Sequence, residues 1–264
     1  MDFIDFHSHV YPETIALKAT AATCEFYDIV TPYTGTPEEK LRVDSENGIV
    51  KSVILPVAVL PKHVHSINEF TRKTAEAHPG LFPFGTVHAA DENILNEVSM
   101  FGDMGLKGIK MHPDMQKFDI DDPRLLPLYD MIQGMLPVMF HSGDPRYTWS
   151  RPEKIKRILH EFPRLVVIAA HMGGWSFQET AFPILKDEER CFVDTSSSTC
   201  SLPTEKTVEY INGYGVERVL FGSDYPVGDP ARHIQKLLSL PLTDADKEKI
   251  AHENAENFFS EYCR

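Results

Sequence analysis

Eight short apolar, β-branched runs recur along the chain and alternate with stretches of helical composition, which constrains the fold more than any single residue does. The runs are FIDFH, VKSVILPV, LFPFGTVH, GIKMH, PVMFH, LVVIAAH, CFVDTS and RVLFGSD. Between them lie segments such as TPEEKLRVDSENGI, HSINEFTRKTAEAHPG and PEKIKRILHEFP, with apolar positions at three-to-four spacing and Pro, Asp or Gly near their ends. From the fourth run onward the landmark residues His112, His141, His171, Ser196 and Asp224 fall between 25 and 30 residues apart. That spacing holds one strand, one helix and two short loops. Alternating strand and helix imply right-handed βαβ units and a parallel sheet. Eight such units most simply close into an α/β structure of the (β/α)8, TIM-like barrel type. An open doubly wound sheet is the alternative, although no Gly-x-Gly-x-x-Gly follows the first strand to mark a dinucleotide fold.

The 264 residues suit one barrel, which commonly takes about 250 residues, and no linker, repeat or low-complexity tract divides residues 1–264. Two departures from regularity carry information. Residues 11–35, YPETIALKATAATCEFYDIVTPYTG, far exceed the usual loop between a strand and its helix. With Phe26, Tyr27 and Tyr33 they read either as a partly helical lid insertion over the barrel mouth or as a surface decoration. The tail TDADKEKIAHENAENFFSEY reads as a C-terminal amphipathic helix that packs through Ile250, Phe258 and Phe259.

Charge and cysteine usage narrow the partners. A formal charge of −13 argues against nucleic acid, whose binding draws on clustered Lys and Arg. No run of apolar residues is long enough to span a membrane, and the N-terminus lacks a secretory pattern. Cys24, Cys191, Cys200 and Cys263 form no C-x-x-C pair, which favours free thiols and a cytoplasmic setting. The expected partner is a small-molecule substrate, with a homo-oligomer open.

Six of the 12 histidines, His7, His9, His88, His112, His141 and His171, lie at or next to the C-terminal ends of predicted strands. In a parallel barrel those ends share one face, where active sites are built. His7 and His9 stand on one side of their strand, either as half of a metal grip or as a polar strand end. The clustering favours the grip. His141 offers a third nitrogen and Asp224 an oxygen from the last strand, beside the first in a closed barrel. This is a donor set for one divalent cation, zinc first, with manganese, iron or cobalt as alternatives. It leaves room for a water made acidic by the ion. His171 is placed to exchange a proton or hold a substrate oxygen. His112, Arg146 and Trp149 are candidate substrate contacts, with structural roles as the alternative, and Trp175 is a candidate pocket wall with simple packing as its alternative.

In order along the chain, DFHSHVYP, GLKGIKMHP, LPVMFHSGD, FPRLVVIAAHMGG, VLFGSDYP and EKIAHENAENFF resemble the amidohydrolase superfamily. They are nearest its amidohydrolase-related branch that holds aminocarboxymuconate-semialdehyde decarboxylase. The resemblance implies a TIM-like barrel with one divalent metal on His7, His9, His141 and Asp224, and His171 as the acid–base residue. Other branches bridge two metals with a carbamylated lysine on the fourth strand. Lys110 stands in the matching position, two residues before His112, and is otherwise a candidate substrate contact.

What the resemblance implies for activity is metal-dependent hydrolysis of a lactone, amide or related carbonyl compound, with Asp224 and His171 catalytic. Non-oxidative decarboxylation of an aromatic or unsaturated acid is the alternative. A TatD-like nuclease and a catalytically silent metal-binding protein are the further ones. Fold and metal cage alone do not choose the substrate.

Overall fold

In a computed structural model, which describes residues 1–263, the first run forms β1 (Phe3–Ser8), buried along its whole length, as strands of a parallel sheet covered on both faces are. The other strands follow where the apolar runs place them. They are β2 (Ile49–Ile54), β3 (Leu81–Pro83), β4 (Gly85–Thr86), β5 (Ile109–Met111), β6 (Val138–Phe140), β7 (Val167–Ala169), β8 (Cys191–Asp194) and β9 (Val219–Leu220). Pairing is parallel throughout, in the orders β1-β2-β3 and β4-β5-β6-β7-β8-β9.

The two sheets are the parts of one eight-position TIM-like barrel. The third run supplies both β3 and β4. Pro83 has no N–H to extend a ladder, and a side chain at Gly85 would meet the Phe101 ring at 2.4 Å. Phe84 N still donates to Ile54 O and Gly85 N to Gly108 O, so the wall is continuous across the break. At the other seam Phe6 N donates to Phe221 O, Asp224 N to His7 O and His9 N to Tyr225 O. A Ser8–Tyr225 bridge completes the closure.

The two-residue period of the strands sorts their side chains into two cores. Ile4, Phe6, Val53, Met139, Ile168 and Leu220 cluster with Ala255 and Phe258 of the tail, filling and plugging the barrel interior. Ile109, Met111, Val138, Phe140, Val167 and Val193 take the opposite face and pack on Ile155, Ile158 and Ile211 of the surrounding helices. The tail is not one helix: Asp244–Glu248 and Asn254–Tyr262 flank a π-helical turn, Lys249–Glu253. Ile250 and Phe258 are buried as expected, and Phe259 is half-buried, stacked on Phe6 at 5.4 Å. Helices Gln178–Leu185 and Pro230–Ser239 also join the ring. Pro183 inside the first of these disguises it in the sequence. All four cysteines are free thiols. Among the described residues no helix is long and apolar enough to cross a membrane.

Residues 11–35 contain α1 (Ala16–Tyr27), ended by Asp28 in the left-handed conformation. The next helix, α2 (Pro37–Asn47), starts on Thr36, whose side chain accepts from Glu39 N, and stops at Gly48, φ +70°. Its Lys40 is fully buried and binds Asp5 at 2.8 Å and Asp44 at 2.5 Å. Removing one member of such a group leaves buried charges unpaired. Lys40→Met is therefore expected to lower stability by about 3–5 kcal/mol, read as a shift of the urea unfolding midpoint.

Candidate metal centre

Three of the four ligands expected from the sequence meet at the C-terminal mouth of the barrel. His7 lies near the end of β1, His9 just beyond it and Asp224 just after β9, and each offers a donor atom within 4.8 Å of the others. His7 Nε2 is 3.5 Å and His9 Nε2 3.4 Å from Asp224 Oδ1.

The surroundings fix which nitrogen carries each proton. His9 Nδ1 is 2.6 Å from Leu55 O, which only accepts, so Nδ1 donates and Nε2 keeps its lone pair. His7 Nδ1 is 2.9 Å from Asp194 Oδ2 and is held the same way. Two imidazole lone pairs and one carboxylate oxygen thus face one another. Carboxylate- or carbonyl-anchored imidazoles of this kind are the usual support of metal-bound histidine. Lys110, buried, brings its Nζ to 3.2 Å from His7 Nε2. Burial lowers its ammonium to about 8, against the opposing pull of Asp194 and Asp224. The donor chemistry therefore fits a divalent ion.

Electrostatics agree with a site built for positive charge. Burial opposes ionisation of Asp224, yet His7 and His9 hold its carboxyl well below the usual carboxylate range. Asp194 is likewise buried and likewise held down, by His7, His171 and the Ser196 hydroxyl. Burial, reinforced by Lys110, pushes the His7 imidazole down. His171 and Asp224 both take left-handed backbone, φ +62° and +63°, a costly conformation for non-glycine residues that gathers at functional sites.

His141 stands outside the three-donor set. Its Nδ1 faces His171 Nε2 at 3.0 Å, and its Nε2 faces the Tyr27 hydroxyl at 3.4 Å and Asp114 Oδ2 at 3.7 Å. It belongs to a hydrogen-bonded chain whose polarity follows from its ends. Met115 N donates to His112 Nδ1, so His112 Nε2–H donates to Tyr27 at 2.7 Å. The Tyr27 hydroxyl then donates to His141 Nε2, His141 Nδ1–H to His171 Nε2, and His171 Nδ1–H to Ser196 Oγ at 2.9 Å. The Ser196 hydroxyl ends the chain on Asp194 Oδ1. Burial pushes His171 down to about 4, so its ring is neutral near pH 7.

Around these groups lies a cavity of about 870 Å³ whose walls include Ile15, Phe26, Val57, Val59 and Phe70. Lys110 and His112 line it. Arg146 does not. Its guanidinium forks onto Asp144, at 2.6 Å for the shortest contact, and donates to Phe26 O at 2.7 Å, tying the end of α1 to the loop after β6. A guanidinium already matched by a carboxylate has no free fork for substrate. Trp149 also stays out, stacked on Tyr147 at 5.0 Å; Trp175 packs on Tyr27 instead. His88 accepts from Ala90 N and acts locally.

Sequence reasoning missed Asp194 and Asp114. Asp194 stands two residues after interior-facing Phe192, an unpaired-looking carboxylate in an apolar strand, which was the available signal. Asp114 carried no such signal. Its Oδ1 has no partner, its Oδ2 accepts from Ser150 Oγ at 2.6 Å, and burial raises it to about 7.

A parallel barrel that collects imidazoles and a carboxylate at its strand C-termini is the architecture of metal-dependent barrel enzymes. A family model described as amidohydrolase matches residues 4–260, and the chain belongs to that family. Among solved structures it is similar to an uncharacterized TIM-barrel protein from Bordetella bronchiseptica, at 22% identity and a TM-score of 0.85 over 100% of both chains. It is also similar to the 5-carboxyvanillate decarboxylase LigW from Sphingomonas paucimobilis, at 16% identity and TM-score 0.75 over 98% of this chain and 99% of that one. A dihydroxybenzoic acid decarboxylase from Polaromonas, solved with bound manganese and the inhibitor 2-nitroresorcinol, matches at 16% identity and TM-score 0.72, covering 98% and 97%.

The hydrogen bond from His7 to Asp194 gives a direct test. Asp194→Asn is expected to weaken manganese(II) binding by about 10–100-fold in a chelator-competition titration, and His88→Ala to leave it unchanged.

Proposed function

We propose that the protein is a metal-dependent hydrolase acting on the carbonyl group of a small lactone, amide or related compound with an apolar or planar body. The convergence of His7 Nε2, His9 Nε2 and Asp224 Oδ1 beneath an apolar cavity carries this reading. A divalent cation would be held by His7, His9 and Asp224, with His141 Nε2 as a fourth ligand once the Tyr27 hydroxyl leaves it, and would supply Lewis-acid polarisation of a carbonyl and acidify water to near neutrality. The protein's own groups do the rest. Asp224, kept ionised, takes the proton of the attacking water, while Ser197 donates to its Oδ2 at 2.5 Å and fixes the carboxylate plane. His171, neutral and held between Ser196 and His141, would steady the substrate oxygen or return the proton to the leaving atom once its Nε2 is released from His141. Phe26, Val57 and Val59 seat the body of the substrate and keep bulk water away.

Non-oxidative decarboxylation is the second reading. The likeness to LigW and to the Polaromonas decarboxylase favours it. So does Lys110, a buried cation beside the cluster that suits a substrate carboxylate.

Turnover of a panel of lactones, amides and unsaturated carboxylates in ¹⁸O-water distinguishes the two. Hydrolysis puts ¹⁸O into the organic product. Decarboxylation releases carbon dioxide and leaves the organic product unlabelled. Absence of turnover in the metal-loaded protein across the panel counts against both. His171→Asn is expected to keep its metal, by elemental analysis, and to lose about 10²–10⁴-fold in kcat.

A further inference from the structure

The cavity of about 870 Å³ is far larger than a carbonyl group needs, and its shape follows two helices. On one side Ile15 and, within α1, Ala19, Ala22 and Phe26 line it, at the spacing of a single helical stripe. At the rise of an α-helix that stripe runs roughly 16 Å. On the other side stand Val59, beyond β2, and Ile67 and Phe70, three apart on helix Val64–Ala77. The inner end is the cluster itself, since His7, His9 and Asp224 line the same space.

Apolar helix faces usually bury one another, ridge against groove. These two face a cavity instead. Ala19 and Ala22 stand where larger side chains would fill it, Ile15 and Val59 stay 49% and 50% exposed, and Ile67 and Phe70 are half-buried. Apolar surface left open in this way is surface that a ligand gains by covering. Away from the cluster the polar side chains of the cavity include Thr23, Ser66 and Lys117, with no carboxylate among the described residues. A second cavity of about 390 Å³ meets the first at Tyr27, His141, His171 and Asp224, and it is the more polar, presenting Ser197, Ser201 and Asp229. A molecule with its carbonyl at the cluster therefore has an apolar course for its remainder, between α1 and helix Val64–Ala77. One aromatic ring covers a fraction of that stripe, whereas an extended chain can follow it.

We propose that the substrate carries an unbranched hydrocarbon arm that lies between α1 and helix Val64–Ala77 while its carbonyl sits at the histidine cluster. The inference rests on the carbonyl seat assigned under the proposed function. It makes the substrate an acyl compound with one oxygen-rich end and one long apolar end, and it makes α1 the wall that selects for the second.

Calorimetric titration of the manganese-loaded protein with acetohydroxamate, butanohydroxamate, hexanohydroxamate and octanohydroxamate reads the arm directly. Affinity is expected to rise about two- to four-fold per methylene from butanohydroxamate to octanohydroxamate. Octanohydroxamate is also expected to bind more tightly than phenylacetohydroxamate, which has as many carbons. Ala22→Trp and Ser66→Trp, at exposed positions on the two facing helices, are each expected to flatten the dependence on chain length. Affinity independent of chain length, phenylacetohydroxamate at least as tight as octanohydroxamate, no binding by any of the series, or a dependence that survives both substitutions overturns the proposal. Removing manganese separates this from the reading on which it rests. Affinities unchanged by chelation count against the carbonyl seat at the cluster, whereas the dependence on chain length and its loss in the tryptophan variants report on the groove alone.

Discussion

Lys40 has no exposed surface, and its ammonium lies between Asp5 of the first strand and Asp44 of the helix behind it. Burial alone would lower the lysine pKa, but the two carboxylates overcome it and keep the group charged. Asp5 then does more than balance a charge. It also accepts from Ser223 N at 2.9 Å, from the Ser223 hydroxyl at 2.6 Å and from His7 N at 3.2 Å. One carboxylate therefore grips the backbone of His7 and that of the residue preceding Asp224. The seam that closes the barrel and the seam that brings the first and last candidate ligands together are the same. A buried ion group is a weak source of net stability but a strong specifier of geometry when every member is satisfied, and here Ser52 completes the shell of Asp44 at 2.8 Å.

Above this seam the mouth concentrates lone pairs that have no proton of their own. Asp194 serves two masters: Oδ2 takes His7 Nδ1–H, and Oδ1 takes the Ser196 hydroxyl and Ser196 N. It thereby orients the His7 imidazole on one side and terminates the His112–Tyr27–His141–His171 chain on the other. Because a backbone amide begins that chain and a carboxylate ends it, the tautomer of each ring between them is set by its neighbours rather than by solvent. The neutral state of His171 and the ionised state of Asp224 follow from burial and from these contacts together.

Much of this was legible in the chain. Alternating apolar runs and helical segments located every barrel strand, because parallel strands covered on both faces must be apolar throughout. Histidines at strand ends located the mouth. What the sequence did not carry was side-chain direction beyond the strand period. The sequence points to His141 as a candidate ligand but not to the neighbours of its ring, Tyr27 and His171, one of them from a segment more than a hundred positions away. Arg146 was expected at the substrate, yet Asp144, two residues before it, captures its fork. Asp194 was hidden because a carboxylate inside an apolar run makes sense only once its partner, His7, is known to face it across the barrel. The third run reads as one strand, and the break at Phe84 reflects Pro83 and the approach of Phe101 to Gly85, a tertiary contact with no local signature.

The α1 segment shows how an inserted loop becomes part of the chemistry. Tyr27 is its last helical residue, and its hydroxyl stands 2.7 Å from His112 Nε2 and 3.4 Å from His141 Nε2. A lone pair serves one partner at a time, so His141 Nε2 is available to a cation only when that hydroxyl is elsewhere. The Tyr27 ring also borders both cavities, with Trp175 packed against it at 4.9 Å. Arg146 ties the same helix end to the loop after β6 through Phe26 O, with its guanidinium 4.7 Å from the Phe26 ring. The position of α1 therefore bears at once on the number of free imidazole donors and on the partition between the two chambers. In this chain the insertion after the first strand thus supplies a residue, Tyr27, that bears directly on the histidine cluster.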